Sequence, residues 1–325
     1  MSIRFSVIVP VFNGACFLQH ALDSLAGQER FDGAFETIVV DDGSTDGSRD
    51  ILKTEMQRGR FALRVMEGAH RGNWVASTNK ALREAQGDCI VFLHQDDGYK
   101  PSRLRRLAEV AETYPNCCFF VNTTEFVGAD GGHLGVWRSP LKTGFCSPAE
   151  CVPQLMVQDS FAVPGVMFRK SAFEQSGPLD EDYTYTADWE YWLRLALKYG
   201  VFFVDEILSE FRVHFGSQTV AIASQFDEMR RNLEGVLNRY LPDLMSMLPD
   251  NRKKRYRNLT RLGVETDLFL GMGGAHLPLP WGTFLPALFA CTPLEWGWYV
   301  RYSTVVARTM ARIRAGFLRR KTCPK

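Results

Sequence analysis

The chain has 325 residues, 46% of them apolar and 23% charged, with a formal net charge of +1. That length can bury a full core, the composition is that of a globular protein, and the charge balance is too nearly neutral for a chain whose main task is binding nucleic acid. The eight cysteines include no C-x-x-C pair, so they lack zinc-site spacing and are expected to be thiols in a reducing compartment. The N-terminus begins with a strand-like run, without a signal peptide. No uninterrupted apolar run is long enough for a membrane span. These features predict a cytoplasmic protein.

Residues 5–11 read F-S-V-I-V-P-V, a short β-branched run of the kind buried on both faces of a parallel sheet. Asn13 and Gly14 end it, and Phe17, Leu18, Ala21, Leu22 and Leu25 follow at helical spacing. Residues 35–40 predict a second strand, closed by Asp41-Asp42-Gly43-Ser44, and residues 46–56 a helix. A third strand over 61–66 and a helix over 73–85 lead to a fourth strand at 89–93, followed at once by His94-Gln95-Asp96-Asp97. This alternation predicts a doubly wound α/β layer with a mostly parallel sheet flanked by helices. Further on, 128–135 reads as a turn between strands, 163–169 as a strand, 188–199 as a helix and 201–213 as one or two strands. Strand signals end near 218–224, dividing a first domain (1–220) from a mainly helical region (221–325).

In such a sheet, ligands bind at the carboxyl ends of the strands. Three polar clusters fall there: Asn13, Asp41-Asp42 and Asp96-Asp97. They are expected to meet in one crevice. Adjacent carboxylates repel unless a cation or hydrogen bonds offset them, and Mg²⁺ or Mn²⁺ takes carboxylate oxygens together with substrate phosphates. Asp41 can offer its carboxylate to a base or ribose, while Asp42 holds the turn and Ser44 or Asp46 caps the next helix.

These residues also carry a resemblance. V-P-V-F-N-G at 9–14, V-D-D-G-S-T-D-G-S at 40–48, R-G-N-W-V-A-S-T-N-K-A-L at 71–82 and L-H-Q-D-D-G-Y-K-P-S-R-L at 93–104 resemble the ordered motifs of family 2 glycosyltransferases. So do V-M-F-R-K-S-A-F-E-Q-S-G-P-L-D-E at 166–181, A-D-W-E-Y-W-L-R-L-A at 187–196 and F-R-V-H-F-G-S at 211–217. The resemblance implies a GT-A fold, a nucleotide-diphosphate-sugar donor, a Mn²⁺ or Mg²⁺ ion and inversion at the anomeric carbon. It implies that Pro10, Phe12 and Asp41 contact the base region, that Arg71 lies near base or ribose, that Asp96 faces ribose and sugar, and that Asp97 ligates the metal. Asp188 falls at the general base, and Arg212 and His214 in the segment that approaches the diphosphate or metal. One departure stands out: His94 replaces an aspartate carried by many members. Hard cations prefer oxygen, so His94 is expected to pack or make a polar contact instead of binding the metal.

A carboxylate within reach of an acceptor hydroxyl can take its proton, which is worth about 10²–10⁴-fold; Asp188 is expected to have that role, although an aspartate at a helix start also caps. Arg212 and His214, two apart, share one strand face. From Arg301 to Lys325 there are eight basic residues and no acidic ones. A basic amphipathic helix over 302–318 either lies on an anionic membrane surface, which would suit a glycan or lipid-linked acceptor at the inner face of the membrane, or packs on the catalytic domain or a second subunit as a homo-oligomer. Two other functions compete. A nucleotidyltransferase would carry a Gly-rich basic loop after the first strand, where this chain reads V-P-V-F-N-G-A-C-F-L. A catalytically degenerate domain that only binds sugar nucleotides has His94 as its support.

Overall fold

Strand and helix alternate through the first half of the chain: β1 (Ile3–Val11), α1 (Ala15–Ala26), β2 (Gly33–Asp41), α2 (Ser48–Arg58), β3 (Ala62–Glu67), α3 (Trp74–Glu84) and β4 (Cys89–Phe92). The computed structural model describes residues 3–68, 70–214, 225–274 and 278–316, so the boundary expected at 218–224 lies outside the described residues. There follow β5 (Gly98–Tyr99), α4 (Arg103–Thr113), β6 (Phe119–Val127), β7 (His133–Trp137), β8 (Gly144–Cys146), α5 (Pro148–Val157), β9 (Val166–Arg169), α6 (Lys170–Ser176), α7 (Ala187–Tyr199) and β10 (Val201–Arg212). The described strands form one sheet whose main path runs β3-β2-β1-β4-β9-β6-β10-β5. The parallel run is β3-β2-β1-β4; β9 then enters antiparallel to both β4 and β6, and β6 pairs parallel with β10.

Alternation along β1 sends its side chains to two cores. Val7 and Val9 pack with Leu18, Leu22 and Leu104 on one face, while Ile8 joins Ile38, Phe92, Phe119 and Trp192 on the other. Register sets the site. Val11 lies opposite Asp41, so β1 and β2 end level, whereas Phe92 lies opposite Ile8, so β4 stops three residues short and the block that follows it runs up to the same end of the sheet. Antiparallel pairing of Gly98 with Glu210 brings the residues just before β5 beside the end of β10.

The C-terminal region is helical: α8 (Phe226–Met247), α9 (Asp250–Gly274), α10 (Trp281–Phe289), α11 (Pro293–Tyr302) and α12 (Val305–Arg314). Buried residues of α8 at Met229, Leu233, Val236, Leu237, Tyr240 and Leu244 follow one helical stripe. They join the same hydrophobic cluster as Trp192 and Phe119 of the sheet layer. Gly263 lets α9 lie directly on Val157, whose carbonyl oxygen a Cβ there would strike. The helices therefore share a core with the α/β layer. No described helix is long and apolar enough to cross a membrane. Six described cysteines are free, and Cys16 is disulfide-bonded.

Candidate active site

The loop after β1 is knitted to its neighbours by backbone and short side chains. Asn13 takes φ 47°, alone in the positive region among the described non-glycine residues, a conformation that asparagine tolerates and that concentrates at functional sites. Its N–H donates to Ser44 Oγ at 2.9 Å, and its Oδ1 accepts from Thr45 N–H at 2.8 Å. Asp46 accepts the N–H groups of Ala15 and Ser48, at the starts of α1 and α2. Asp46 thus orders two helix starts; Ser44 ties down the β1 loop, and the N-cap of α2 is Gly47.

The H-Q-D-D block closes on this loop through Gln95. Its amide oxygen accepts the Phe12 N–H at 2.8 Å, and its amide nitrogen donates to the Phe12 carbonyl at 3.1 Å. A side chain at Gly14 would collide with that amide. All three expected clusters therefore meet at one end of the sheet. Pro10 stands beside Val40 in the β1–β2 ladder, behind Phe12.

Asp41 and Asp42 divide their work. The Asp41 carboxylate is fully buried; it accepts from Ser44 N–H at 3.1 Å and from Arg49 Nε at 2.8 Å. Asp42 gathers the N–H groups of Arg71 and Gly72 and stands 3.0 Å from His70 Nδ1. That places the His70 ring on the Phe12 ring, stacked at 3.9 Å and 13°. Arg71 is held by its backbone, and the residue is exposed. Sequence reading missed His70 and Gln95, because neither residue type declares a partner until the loops are folded together.

At the other side of the crevice, the Asp97 side chain is buried. Its Oδ1 accepts the Arg212 N–H at 3.0 Å, and its Oδ2 has no hydrogen-bond partner among the described atoms. Burial first, then the Asp96 charge, push its carboxyl well above the ordinary carboxylate range. Asp96 is more open, with its side chain 22% exposed, and its Oδ2 lies 2.8 Å from His214 Nε2. Arg212 donates to the carbonyls of Asp96 and Gly128, so its guanidinium ties strand ends together, and it lies 4.9 Å over the Phe17 ring. The Arg212 side chain, expected to approach the diphosphate, braces the crevice floor here through Nε and Nη1, which donate to backbone carbonyls. His94 packs edge-on against Trp74, with ring centroids 5.3 Å apart, and burial holds its imidazole below its ordinary pKa.

Among the described residues no group of three or more His, Cys, Asp or Glu is arranged as a metal cage. The donors that are present nonetheless fit a hard divalent ion, which keeps waters and borrows substrate phosphates to complete its shell. Asp96 offers a carboxylate oxygen, His214 Nε2 lies 2.8 Å from it, and the orphaned Asp97 oxygen marks an excess of acid at this strand end.

Asp188 belongs to a second cluster. It is in the first turn of α7, whose N-cap is Thr186, so the cap expected of it falls two residues earlier. Burial pushes its carboxyl up to about 6, opposed by the Trp189 N–H and by the Arg308 charge. Burial, then the charge of Asp188, raise Asp159 as well. Arg308 comes from α12, pairs with Asp267 at 3.2 Å and lies 5.4 Å over the Trp137 ring. Trp137, Ala162 and Ala311 share a small apolar cluster with Val213, the residue between Arg212 and His214. That cluster connects the two acidic sites.

The architecture has solved relatives. The Staphylococcus aureus TarS 1–349 structure in complex with UDP-GlcNAc aligns with a TM-score of 0.62 and 19% identity, covering 97% of this chain and 92% of that one. A longer TarS chain aligns equally well, but this chain spans only 54% of it. A mannosyltransferase of Pyrobaculum calidifontis, in complex with GDP-Man and Mn²⁺, aligns with a TM-score of 0.56 and 16% identity over 97% of this chain and 87% of that one. In sequence, an uncharacterized glycosyltransferase of Nostoc sp. is 24% identical over 74% of this chain and 76% of its own. The S. aureus poly(ribitol-phosphate) beta-N-acetylglucosaminyltransferase TarS is 35% identical over 32% of this chain and 18% of its own. The solved relatives share the GT-A fold, and the model described as glycosyl transferase family 2 matches residues 6–175; the chain belongs to glycosyl transferase family 2.

Proposed function

We propose that this glycosyltransferase moves a sugar from a nucleoside-diphosphate donor to an acceptor hydroxyl in envelope glycan synthesis, by one displacement that inverts the anomeric carbon. The observation that carries the reading is the meeting of Phe12, Asp41-Asp42 and the Asp96–His214 pair at one end of the sheet. Relatives solved in complex with UDP-GlcNAc and with GDP-Man and Mn²⁺ support a nucleotide-sugar donor and a divalent ion.

The base takes the Phe12–His70 end of the crevice, with Pro10, Asp41 and Arg71 around it. Asp96 and His214 face the diphosphate end and would hold Mn²⁺ or Mg²⁺ there. The sequence expectation gave the metal to Asp97; its burial and its bond to the Arg212 N–H favour a bracing role behind Asp96 instead. A bound divalent ion would offset the negative charge of the leaving diphosphate. Asp188 accepts the proton of the acceptor hydroxyl as that oxygen bonds to the anomeric carbon; the bond from that carbon to the phosphate oxygen breaks, and its electron pair leaves with the nucleotide. A carboxylate raised to about 6 is near the operating pH at which a general base works best.

The test is nucleotide release from a panel of UDP- and GDP-sugars with and without Mn²⁺. Release from at least one donor, lost in EDTA and in Asp96→Asn, is expected. Binding without release from any donor would favour a degenerate sensor. Pyrophosphate formation from a nucleoside triphosphate and a sugar phosphate would favour nucleotidyl transfer.

A further inference from the structure

Among the described residues, nine of the thirteen large apolar side chains that are exposed fall between positions 281 and 313. They include Phe289 at 72% and Leu294 at 86% exposure. Scattered exposed apolar residues are normal, whereas a concentration on successive helices marks an interaction surface. Helix α12 makes the direction explicit. Its outward stripe is Val306, Met310 and Ile313, at spacings of four and three, while Ala311 and Arg308 face the protein. An ordinary surface helix does the reverse. Nor is α12 loosely attached: Gln158 accepts the Thr304 N–H at 2.9 Å and donates to Asp267, which also pairs with Arg308.

We infer that the apolar face of α10, α11 and α12 docks on an anionic lipid surface. Charge selects this occupant. Residues 281–316 carry four arginines and one glutamate; Arg308 is turned inward to Asp267, whereas Arg301 and Arg314 are exposed, and no acidic residue occurs in the sequence from Arg301 onward. Exposed Trp281 and Tyr302 are the amphipathic aromatics that settle at the headgroup level. None of these helices can span, so the face lies in the interface, where apolar burial and attraction to anionic headgroups add. Since the inward side of α12 carries Arg308 of the Asp188 cluster, docking holds that cluster close to the lipid and suits a lipid-carried acceptor. That consequence rests on the proposed transfer reaction; the docking does not.

Truncation is a poor test, because α12 is tied into the protein. The full chain and the triple variant Leu294→Glu, Met310→Glu, Ile313→Glu should be compared in flotation with vesicles of phosphatidylcholine alone or mixed with phosphatidylglycerol. All three positions are exposed, so thermal stability and donor hydrolysis should be unchanged. The wild type is expected to float with the anionic vesicles, and the variant to bind about tenfold less or weaker. Three results would overturn the inference: a wild type that stays at the bottom, equal flotation of both proteins, or equal binding to neutral and anionic vesicles. A wild-type dimer that becomes monomeric in the variant, without flotation, would assign the face to a second copy of the chain. A wild type that floats with the anionic vesicles but hydrolyses no donor would count against the proposed reaction and leave the docking standing.

Discussion

Arg308 lies 3.2 Å from Asp267, and its positive charge lowers both Asp188 and Asp159, so the last described helix helps set the protonation of an acid more than a hundred residues earlier. Replacing it by glutamine should push the Asp188 carboxyl above about 6. A general base works ionised, so the acid limb of the kcat profile should move to higher pH. The variant should lose more activity at pH 6 than at pH 8, and Arg308→Lys should restore the limb. A uniform loss at all pH values would mean that Arg308 only supports the fold.

Asp188→Asn keeps the shape of the first turn of α7 and its bond to the Trp189 N–H at 2.9 Å, but cannot take a proton. If Asp188 is the base, kcat should fall about 10²–10⁴-fold. Donor affinity, measured by titration calorimetry, should be unchanged. A variant that retains most of its kcat would move the role elsewhere, with Asp159 the first candidate.

The two aspartates of the H-Q-D-D block should separate experimentally. Asp96→Asn and His214→Ala should each raise the Mn²⁺ concentration needed for half-maximal turnover by about tenfold or more, the scale on which lost metal contacts act. Asp97→Asn keeps an oxygen for the Arg212 N–H and should shift it much less. A larger effect at Asp97 would return the ligand role to it, as first expected from the sequence.

The parallel run β3-β2-β1-β4 was legible because buried strands and amphipathic helices leave periodic signals, and because polar residues collect where such strands end. The family motifs named the crevice residues. What escaped depended on long-range partners. Gln95 is unremarkable until its amide meets the Phe12 backbone, and His70 until Asp42 turns it onto Phe12. Of the amphipathic helix expected over 302–318, the described part is α12 (Val305–Arg314), with Tyr302 ending α11 and 317–318 outside the described residues; periodicity does not say which stripe faces inward, and the polar partners Asp267 and Gln158, far away in sequence, hold Arg308 and Thr304 on the inner side.

The Phe12–His70 stack predicts a donor effect separable from chemistry. If the base binds against this pair, His70→Ala and Phe12→Ala should weaken nucleotide binding by about ten- to a hundredfold, the usual worth of an aromatic platform for a base. In this case KM for the donor should rise, with kcat changed little. Asp42→Asn should have the smaller form of the same effect, since it loosens His70 and the Arg71–Gly72 backbone without removing a ring. A fall in kcat at constant KM in the ring variants would place the stack away from the base.

Asp159 offers a stability test. Burial raises its carboxyl well above the ordinary range in the folded chain, whereas in the unfolded chain it returns to that range. Folding therefore takes up a proton, and by linkage the stability contributed by this group falls as pH rises above the unfolded value. Asp159→Asn removes the charge but keeps the oxygen that accepts the Phe161 N–H at 3.1 Å. The melting temperature of the variant should exceed that of the wild type by a few degrees at pH 8, and the difference should vanish near pH 4, where the wild-type carboxyl is neutral in the folded chain. A gain of equal size at both pH values would show that the effect comes from packing and not from burying a charge.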